Sequence, residues 1–289
     1  MKDYVIVTDN TCDLDENILK KYNIDIIMLP YSINDTVYSQ ENSIPLKDFY
    51  DMIRGGSMPT TMACNPENYR DYFTKYLEQG KDVLYIAFAG SMSSSCSNAM
   101  IVANELSEEY PNNKVVVVDS NAASAGEGLI VYKAALQREA GKTIDEVATY
   151  VSEISPNVCH FITVDDLKHL HRGGRVSKTT AIVGTLVNVK PILHVNDEGK
   201  IVSYKNVRGR KKALNSLVDI MEELTKDYNV KNDTIMISHG DAPEDAEYVA
   251  SEIKQRFGIE DVIITYASQT IGSHTGAGLV AIFFMGEHR

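Results

Sequence analysis

The first half of the chain alternates short apolar runs with apolar residues at helical spacing, which restricts it to an α/β fold whose strands run parallel through right-handed crossovers. Val5-Ile6-Val7-Thr8-Asp9 is an apolar run ending in polar residues, and Leu14, Ile18, Leu19 and Tyr22 follow at helical spacing. Ile26-Ile27-Met28-Leu29 is a second strand, stopped at Pro30. Pro45 opens a helix carrying Leu46, Phe49, Tyr50 and Ile53, and Gly55-Gly56 ends it. Asn65-Pro66 reads as a cap followed by proline at the first helical position. The stripe Tyr69, Tyr72, Phe73, Tyr76 and Leu77 behind it is core packing rather than a base-stacking platform. Val83 to Phe88 is the third strand-like run, and Ala99, Val102, Ala103 and Leu106 mark the next helix. Val115-Val116-Val117-Val118-Asp119 reads as a strand buried on both faces of the sheet.

The pattern changes after Ser155-Pro156. His160 to Val164 is a strand, and Pro191 to Val195 and Ile201 to Tyr204 flank Asn196-Asp197-Glu198-Gly199 as a hairpin. Two amphipathic helices, Ala213 to Tyr228 and Pro243 to Phe257, are interleaved with strands at Thr234 to Ser238, Val262 to Thr265 and Leu279 to Phe284. The expected architecture is α/β with two domains. Residues 1–156 form an N-terminal Rossmann-like domain on a parallel sheet, and residues 157–289 form a C-terminal α/β domain on a mixed sheet. The segment near 60–80 is free to pack on either.

A formal net charge of −12 disfavours nucleic acid and anionic membrane surfaces as partners. Cys12, Cys64, Cys96 and Cys159 are widely spaced, which signals free thiols rather than a metal or redox pair. Met1-Lys2-Asp3-Tyr4 runs straight into a strand without a signal-peptide core, and no apolar run approaches the roughly 20 residues that span a bilayer. The expectation is a cytoplasmic protein without an integral membrane segment, a metal or a cofactor.

Four motifs carry possible chemistry. Ala89-Gly90-Ser91-Met92-Ser93-Ser94-Ser95 sits between a strand and a helix, where unpaired N–H groups and hydroxyls can hold an anion; a plain helix cap is the alternative. Pro59-Thr60-Thr61-Met62 offers two adjacent hydroxyls, or only turn chemistry. Ile271-Gly272-Ser273-His274-Thr275-Gly276-Ala277-Gly278 presents a histidine for charge or hydrogen bonding, or is a glycine turn with a satisfied histidine. His171-Arg172-Gly173-Gly174-Arg175 and Lys205 to Lys212 are basic islands in an acidic chain, suited to phosphate or an acidic partner, or simply solvated. Gly141-Lys142-Thr143 lacks the spacing of a P-loop, and Gly126-Glu127-Gly128 lacks the third glycine of a dinucleotide fingerprint.

In order and spacing these motifs resemble the DegV family, whose characterised members include the fatty-acid-binding subunits of bacterial fatty acid kinase. The resemblance runs from Thr8-Asp9-Asn10-Thr11-Cys12-Asp13-Leu14 through Pro59-Thr60-Thr61, Met92-Ser93, Asp119-Ser120 and Arg172-Gly173-Gly174-Arg175-Val176-Ser177. It ends with Lys190-Pro191-Ile192-Leu193, Arg208-Gly209-Arg210-Lys211-Lys212-Ala213 and Gly272-Ser273-His274-Thr275-Gly276. It implies a long-chain fatty acid held between two domains, with Thr61 and Ser93 bonded to its carboxylate and His274 beside it as a possible cation. Thr60, Ser94 and Ser95 would be further head-group contacts. The chain departs from the family pattern at Met62, Ser94, Ser95 and Ala277.

The resemblance further implies a lipid-binding subunit without catalysis of its own. A separate ATP-dependent kinase subunit would phosphorylate the carboxylate to an acyl phosphate for phospholipid synthesis, with Arg172, Arg175 and Arg208 available for docking that kinase or steadying the phosphate. The uncharged run Ala181 to Val187 would line the tunnel or form an ordinary buried helix. The alternatives are a hydrolase using Ser93 with His274 as base, although no G-x-S-x-G elbow is present, and a sensor of a small anionic metabolite.

Overall fold

The structure is a computed structural model describing residues 2–165, 167–176, 188–228 and 232–287. Ser177 and the run Ala181 to Val187, a proposed tunnel wall, lie outside the described residues.

The chain opens with β1 (Tyr4–Asp9), α1 (Glu16–Lys21) and β2 (Ile24–Ile27), α1 being capped by the Asp15 carboxylate. Three short strands follow in part: β3 (Tyr31–Ile33), β4 (Thr36–Tyr38) and, after α2 (Leu46–Arg54), β5 (Thr60–Thr61). Next come α3 (Pro66–Leu77), β6 (Asp82–Ala87), α4 (Ser95–Glu109), β7 (Val115–Asp119), α5 (Ala125–Glu139) and α6 (Ile144–Ile154). The second half comprises β8 (Val158–Thr163), α7 (Lys168–Arg172), β9 (Val189–Val195), β10 (Ile201–Arg208), α8 (Arg210–Thr225), β11 (Thr234–His239), α9 (Pro243–Phe257), β12 (Asp261–Tyr266), α10 (Gln269–Thr275) and β13 (Val280–Met285).

The fold is α/β, with a parallel sheet in the order β2-β1-β6-β7 and a six-stranded sheet in the order β10-β9-β8-β13-β11-β12. Among the described residues, β11 and β12 are the one parallel pair of the second sheet, so it is mixed. The strands of the first sheet all precede residue 156 and those of the second all follow residue 157. β6 is central and wholly buried. β7, expected to be buried on both faces, is instead an edge strand that is half-buried throughout. Its valines pack against a single sheet neighbour.

The third sheet, β4-β3-β5, is antiparallel and was not anticipated. Asn34 and Asp35 both adopt positive φ (49° and 62°), the conformation a two-residue hairpin turn needs. Helix α3 packs on the first sheet, its Tyr69, Phe73 and Leu77 buried with Val83 and Tyr85. The region that reaches the second half lies upstream of it. The Tyr50 hydroxyl donates to the Ala267 carbonyl at 2.9 Å, and Arg54 pairs with Asp241 at 3.0 Å.

Period-two alternation splits the second sheet's faces. Ile235, Ile237, Ile282 and Phe284 pack beneath α8 and α9, while Met236, Ala281 and Phe283 belong to the cluster that includes α5. Helix α5 is buried on every side over residues 125–131 and sits between the sheets. Its glycines answer close approaches: a Cβ on Gly126 would stand 2.2 Å from His160 Nε2, and one on Gly128 2.3 Å from the Cys12 carbonyl. The buried Asp13 carboxylate bolts the halves together, accepting from Ser124 of the first and from the Ser238 hydroxyl (3.0 Å) and the Ser268 N–H (2.8 Å) of the second.

Candidate functional site

Between the halves lies a cavity of about 250 Å³. Leu29, Phe88 and Met92 form its wall on the first half; Ile162, Leu279 and Phe283 form the wall opposite. Phe283 is there because β13 alternates, sending Ile282 and Phe284 to the far face. At one end stand Thr61, Ser93, Ser94, Arg175 and His274.

Thr61 is delivered by β5, which pairs Thr61 with Tyr31 and Thr60 with Ser32. Its hydroxyl lies 2.8 Å from His274 Nε2. Strand alternation turns Thr60 the other way, where its hydroxyl meets Ser32 Oγ at 2.8 Å on an exposed face. Thr60 is therefore not a cavity residue.

The serine turn divides similarly. Ser93 and Ser94 line the cavity. Ser95 is fully buried, accepting from the Cys64 N–H (3.2 Å) and from the Ser93 hydroxyl (3.0 Å), so it is not a head-group contact. Ser91 donates to the Gly199 carbonyl at the hairpin tip. Gly90 serves packing rather than a ligand: its N–H meets the Asp119 carboxylate at 3.2 Å, and a Cβ there would lie 2.7 Å from that carboxylate.

The stretch expected either to present a histidine or to form a glycine turn overlaps helix α10, capped by the Ser268 hydroxyl. It places His274 in its last turn. Burial pushes the His274 imidazole down to about 4, with Arg175, Arg172 and His169 adding to the shift. The ring is neutral at pH 7, which corrects the expectation of a cation. Its Nδ1 is buried without a partner and lies against Gly173, where a Cβ would approach to 2.2 Å. A proton on Nδ1 would be an unsatisfied buried donor. We therefore assign the proton to Nε2, which donates to Thr61 Oγ1 and leaves the Thr61 O–H free for the cavity.

Arg175, expected either to dock a partner or to steady a phosphate, is half-buried in the cavity wall. Its Nε and Nη2 donate to the Met92 carbonyl (3.2 and 2.6 Å), and Nη1 donates to the Gly173 carbonyl. An arginine has five N–H donors, so two remain without a partner among the described residues. Burial lowers its pKa, but a guanidinium stays charged. The signal missed in the sequence is that an arginine flanked by Gly173-Gly174 and Val176 sits in an apolar, turn-forming context rather than a solvated run. Arg172 donates to the Met58 and Pro59 carbonyls and so holds the segment leading into β5. Arg208 is exposed at the end of β10, outside the cavity wall. Of the departures from the family pattern, Met62 and Ser94 line the cavity.

Ser93 bonds Ser95 while His274 bonds Thr61, so the nucleophile and base of a serine hydrolase are not paired. Among the described residues no three His, Cys, Asp or Glu side chains group as metal ligands, and no helix is long and apolar enough to cross a membrane.

The model of the DegV family, described as an uncharacterised protein family, matches residues 3–287. A DegV domain-containing protein of Clostridium perfringens is 39% identical over 289 residues, covering 99% of each chain. Among solved structures, a fatty-acid-binding DegV family protein of Streptococcus agalactiae aligns with TM-score 0.86 and 29% identity over 100% of both chains. A DegV lipid-binding protein of Thermotoga maritima aligns with TM-score 0.86 and 26% identity, again over 100% of both chains.

Proposed function

The chain belongs to the DegV family, and on that footing we propose that it binds a long-chain fatty acid in the cavity between its halves. The observation carrying this is the make-up of the cavity: apolar side chains such as Leu29, Phe88, Ile162, Leu279 and Phe283 supply most of its lining, and the Thr61, Ser93 and Ser94 hydroxyls stand with the Arg175 guanidinium as its polar cluster. A carboxylate buried without partners would be strongly disfavoured. The Thr61 and Ser93 hydroxyls and the two open donors of Arg175 supply them, while His274 orients Thr61. Each buried methylene adds on the order of 0.8 kcal/mol, so the tail dominates affinity and the head group sets orientation. A volume of about 250 Å³ lies just under the ~300–1,000 Å³ of typical ligand pockets, which suits a slender chain better than a fused ring system.

The protein contributes no ATP site in this reading. A separate ATP-dependent kinase subunit phosphorylates the presented carboxylate, and the acyl phosphate is carried off by this chain. Arg175, whose open donors face the head group, steadies the phosphate. Exposed Arg208 and the basic run around it dock the kinase. Arg172, with its donors on backbone carbonyls, holds the Thr61 segment rather than a partner.

Organic extraction of the purified protein followed by mass spectrometry tests the ligand assignment. A long-chain fatty acid recovered in near-stoichiometric amount supports it. A polar metabolite without lipid would replace it with the sensor reading.

A further inference from the structure

The cavity carries polar groups away from the cluster of Thr61, Ser93 and Arg175. Ser124 and His160 both line it. They are neighbours, because the Ala123 N–H donates to His160 Nε2 at 3.3 Å. His160 stands opposite Phe283 in the pairing of β8 with β13, its ring edge-on to Phe283 with centroids 5.3 Å apart. Leu279 marks the other end of the β13 cavity face. It lies beside Gly276, the residue that closes α10 just after His274: a Cβ on Gly240 would meet the Gly276 carbonyl at 2.7 Å and Leu279 Cβ at 3.1 Å. Four residues of extended chain separate Leu279 from Phe283, about 14 Å. Ser124 and His160 therefore lie down the cavity from the head group, roughly ten carbons along an extended acyl chain at that strand rise.

What Ser124 offers there is a lone pair. Its hydroxyl donates to Asp13 Oδ2 at 2.5 Å, and a serine has one proton. Asp13 also accepts the Ser238 hydroxyl on Oδ2 (3.0 Å) and the Ser268 N–H on Oδ1 (2.8 Å), so the carboxylate is surrounded by donors. His160 adds no donor to the cavity, since Nδ1 is engaged with the Val158 carbonyl at 2.8 Å and Nε2 with the Ala123 N–H. The backbone is strained at Ser124: φ of 58° with ψ of −150° is a region that glycine alone occupies freely. Capping does not explain the serine. Ser124 precedes α5, yet its side chain makes no bond to the first turn of that helix.

We propose that Ser124 is a second recognition point of the cavity, which takes a long-chain fatty acid carrying a hydroxyl on a mid-chain carbon. This rests on the reading that the cavity holds a fatty acid with its carboxyl at Thr61 and Ser93. The ligand hydroxyl donates to Ser124 Oγ, Ser124 keeps its own proton on the bond to Asp13, and no group changes charge. A ketone on the same carbon brings lone pairs only, so its oxygen is buried against Ser124 without a donor. An unsubstituted tail makes no such bond and leaves Ser124 satisfied through Asp13. The site therefore separates a donor from an acceptor on chains of equal length. Thr270 and Thr275 also line the cavity, but their hydroxyls donate to the Leu29 and Ile271 carbonyls (3.3 and 3.0 Å) and they sit on α10, at the head-group end.

Displacement of a fluorescent fatty acid from delipidated protein tests this, with octadecanoic acid and its derivatives bearing a hydroxyl or a ketone on the eighth, tenth or twelfth carbon. The assay is run at pH 8, where Asp13, raised by burial to about 6, is ionised. At one of the three positions the hydroxy acid should bind about fivefold or more tightly than its ketone partner, the worth of one hydrogen bond. Ser124→Gly removes the oxygen and relieves the backbone; it should still bind octadecanoic acid, with the hydroxy-to-ketone ratio near one. Ser238→Ala takes a different donor from Asp13 and no atom from the cavity lining, so it should keep the wild-type ratio. A ratio near one in the wild type at every position, a ratio that survives Ser124→Gly, or one lost in Ser238→Ala overturns the second recognition point, while binding of octadecanoic acid leaves the fatty-acid reading intact. A wild type that binds none of these acids overturns both.

Discussion

Thr61 Oγ1 and His274 Nε2 meet at 2.8 Å across 213 positions of sequence, joining a two-residue strand of one half to the last turn of a short helix in the other. Neither element would be noticed alone. Together they bring one free hydroxyl proton to the polar cluster of a mostly apolar cavity.

Removing either head-group hydroxyl should weaken retention of the acid. Hydrogen bonds to charged groups contribute ~1.5–3 kcal/mol, so Thr61→Ala and Ser93→Ala should each lower affinity by roughly tenfold to a hundredfold in a fluorescent fatty-acid displacement assay. Thr60→Ala, on the opposite face of β5, should leave affinity unchanged.

Two adjacent glycines should behave oppositely. Gly173 has ordinary helical φ, but a Cβ there would lie 2.2 Å from His274 Nδ1. Gly173→Ala should displace the imidazole and reduce ligand affinity. Gly174 has φ of 72° and open space around it, so Gly174→Ala should cost about 1–2 kcal/mol of stability with affinity preserved. Urea melts and binding isotherms on both variants separate the cases.

His274 should stay neutral well below its usual range, since its folded pKa is held at about 4. Between that value and ~6.5 the unfolded chain binds a proton that the folded chain does not. The contribution of the neutral ring to stability is therefore lost as pH falls through this window. His274→Gln lacks that loss, so the stability advantage of wild type over the variant should shrink from pH 7 to pH 4 in denaturation series. A difference independent of pH would show that the ring titrates normally.

Glu127 gives the opposite sign. Its folded pKa lies well above the ordinary value because the carboxyl is buried near Asp9 and Asp13. The stability it adds is complete at low pH and declines as pH rises. Glutamine can donate to Thr8 and accept from Thr11 without titrating. Glu127→Gln should match wild type within about 1 kcal/mol in acid, below the ordinary glutamate pKa, and become progressively the more stable protein as pH rises from there through neutrality.

Much of the architecture was legible because long apolar runs and strong punctuation mark it. Helix α9 spans Pro243–Phe257 as expected, opened by proline and closed by Gly258 at φ of 65°. Asn65 and Pro66 start α3 as their chemistry requires. The small sheet was missed because strands of two or three residues carry too little periodicity, although Asn34-Asp35 marks its turn. Helix α10 is hidden in the sequence because its glycines are equally compatible with a turn. Gly272 is there because a Cβ would lie 2.6 Å from the Tyr50 hydroxyl. At Arg175 the sequence leaves phosphate contact, partner docking and a solvated run open, because nothing local to it shows that the Met92 and Gly173 carbonyls draw the side chain inward. The buried hydrogen bonds joining Tyr69, Tyr85 and Asp9 could not be read from sequence at all, since the three are brought together only when the sheet assembles.

The claim on which the rest depends is that a charged head is held at Thr61, Ser93 and Arg175 while an apolar tail fills the cavity. Binding of a long-chain fatty acid and of its methyl ester to delipidated protein measures this most directly, because the two share a tail and differ only in the head. The acid should bind at least tenfold more tightly, and the difference should collapse in the Thr61→Ala, Ser93→Ala double variant. Equal affinity of wild type for acid and ester would contradict the account.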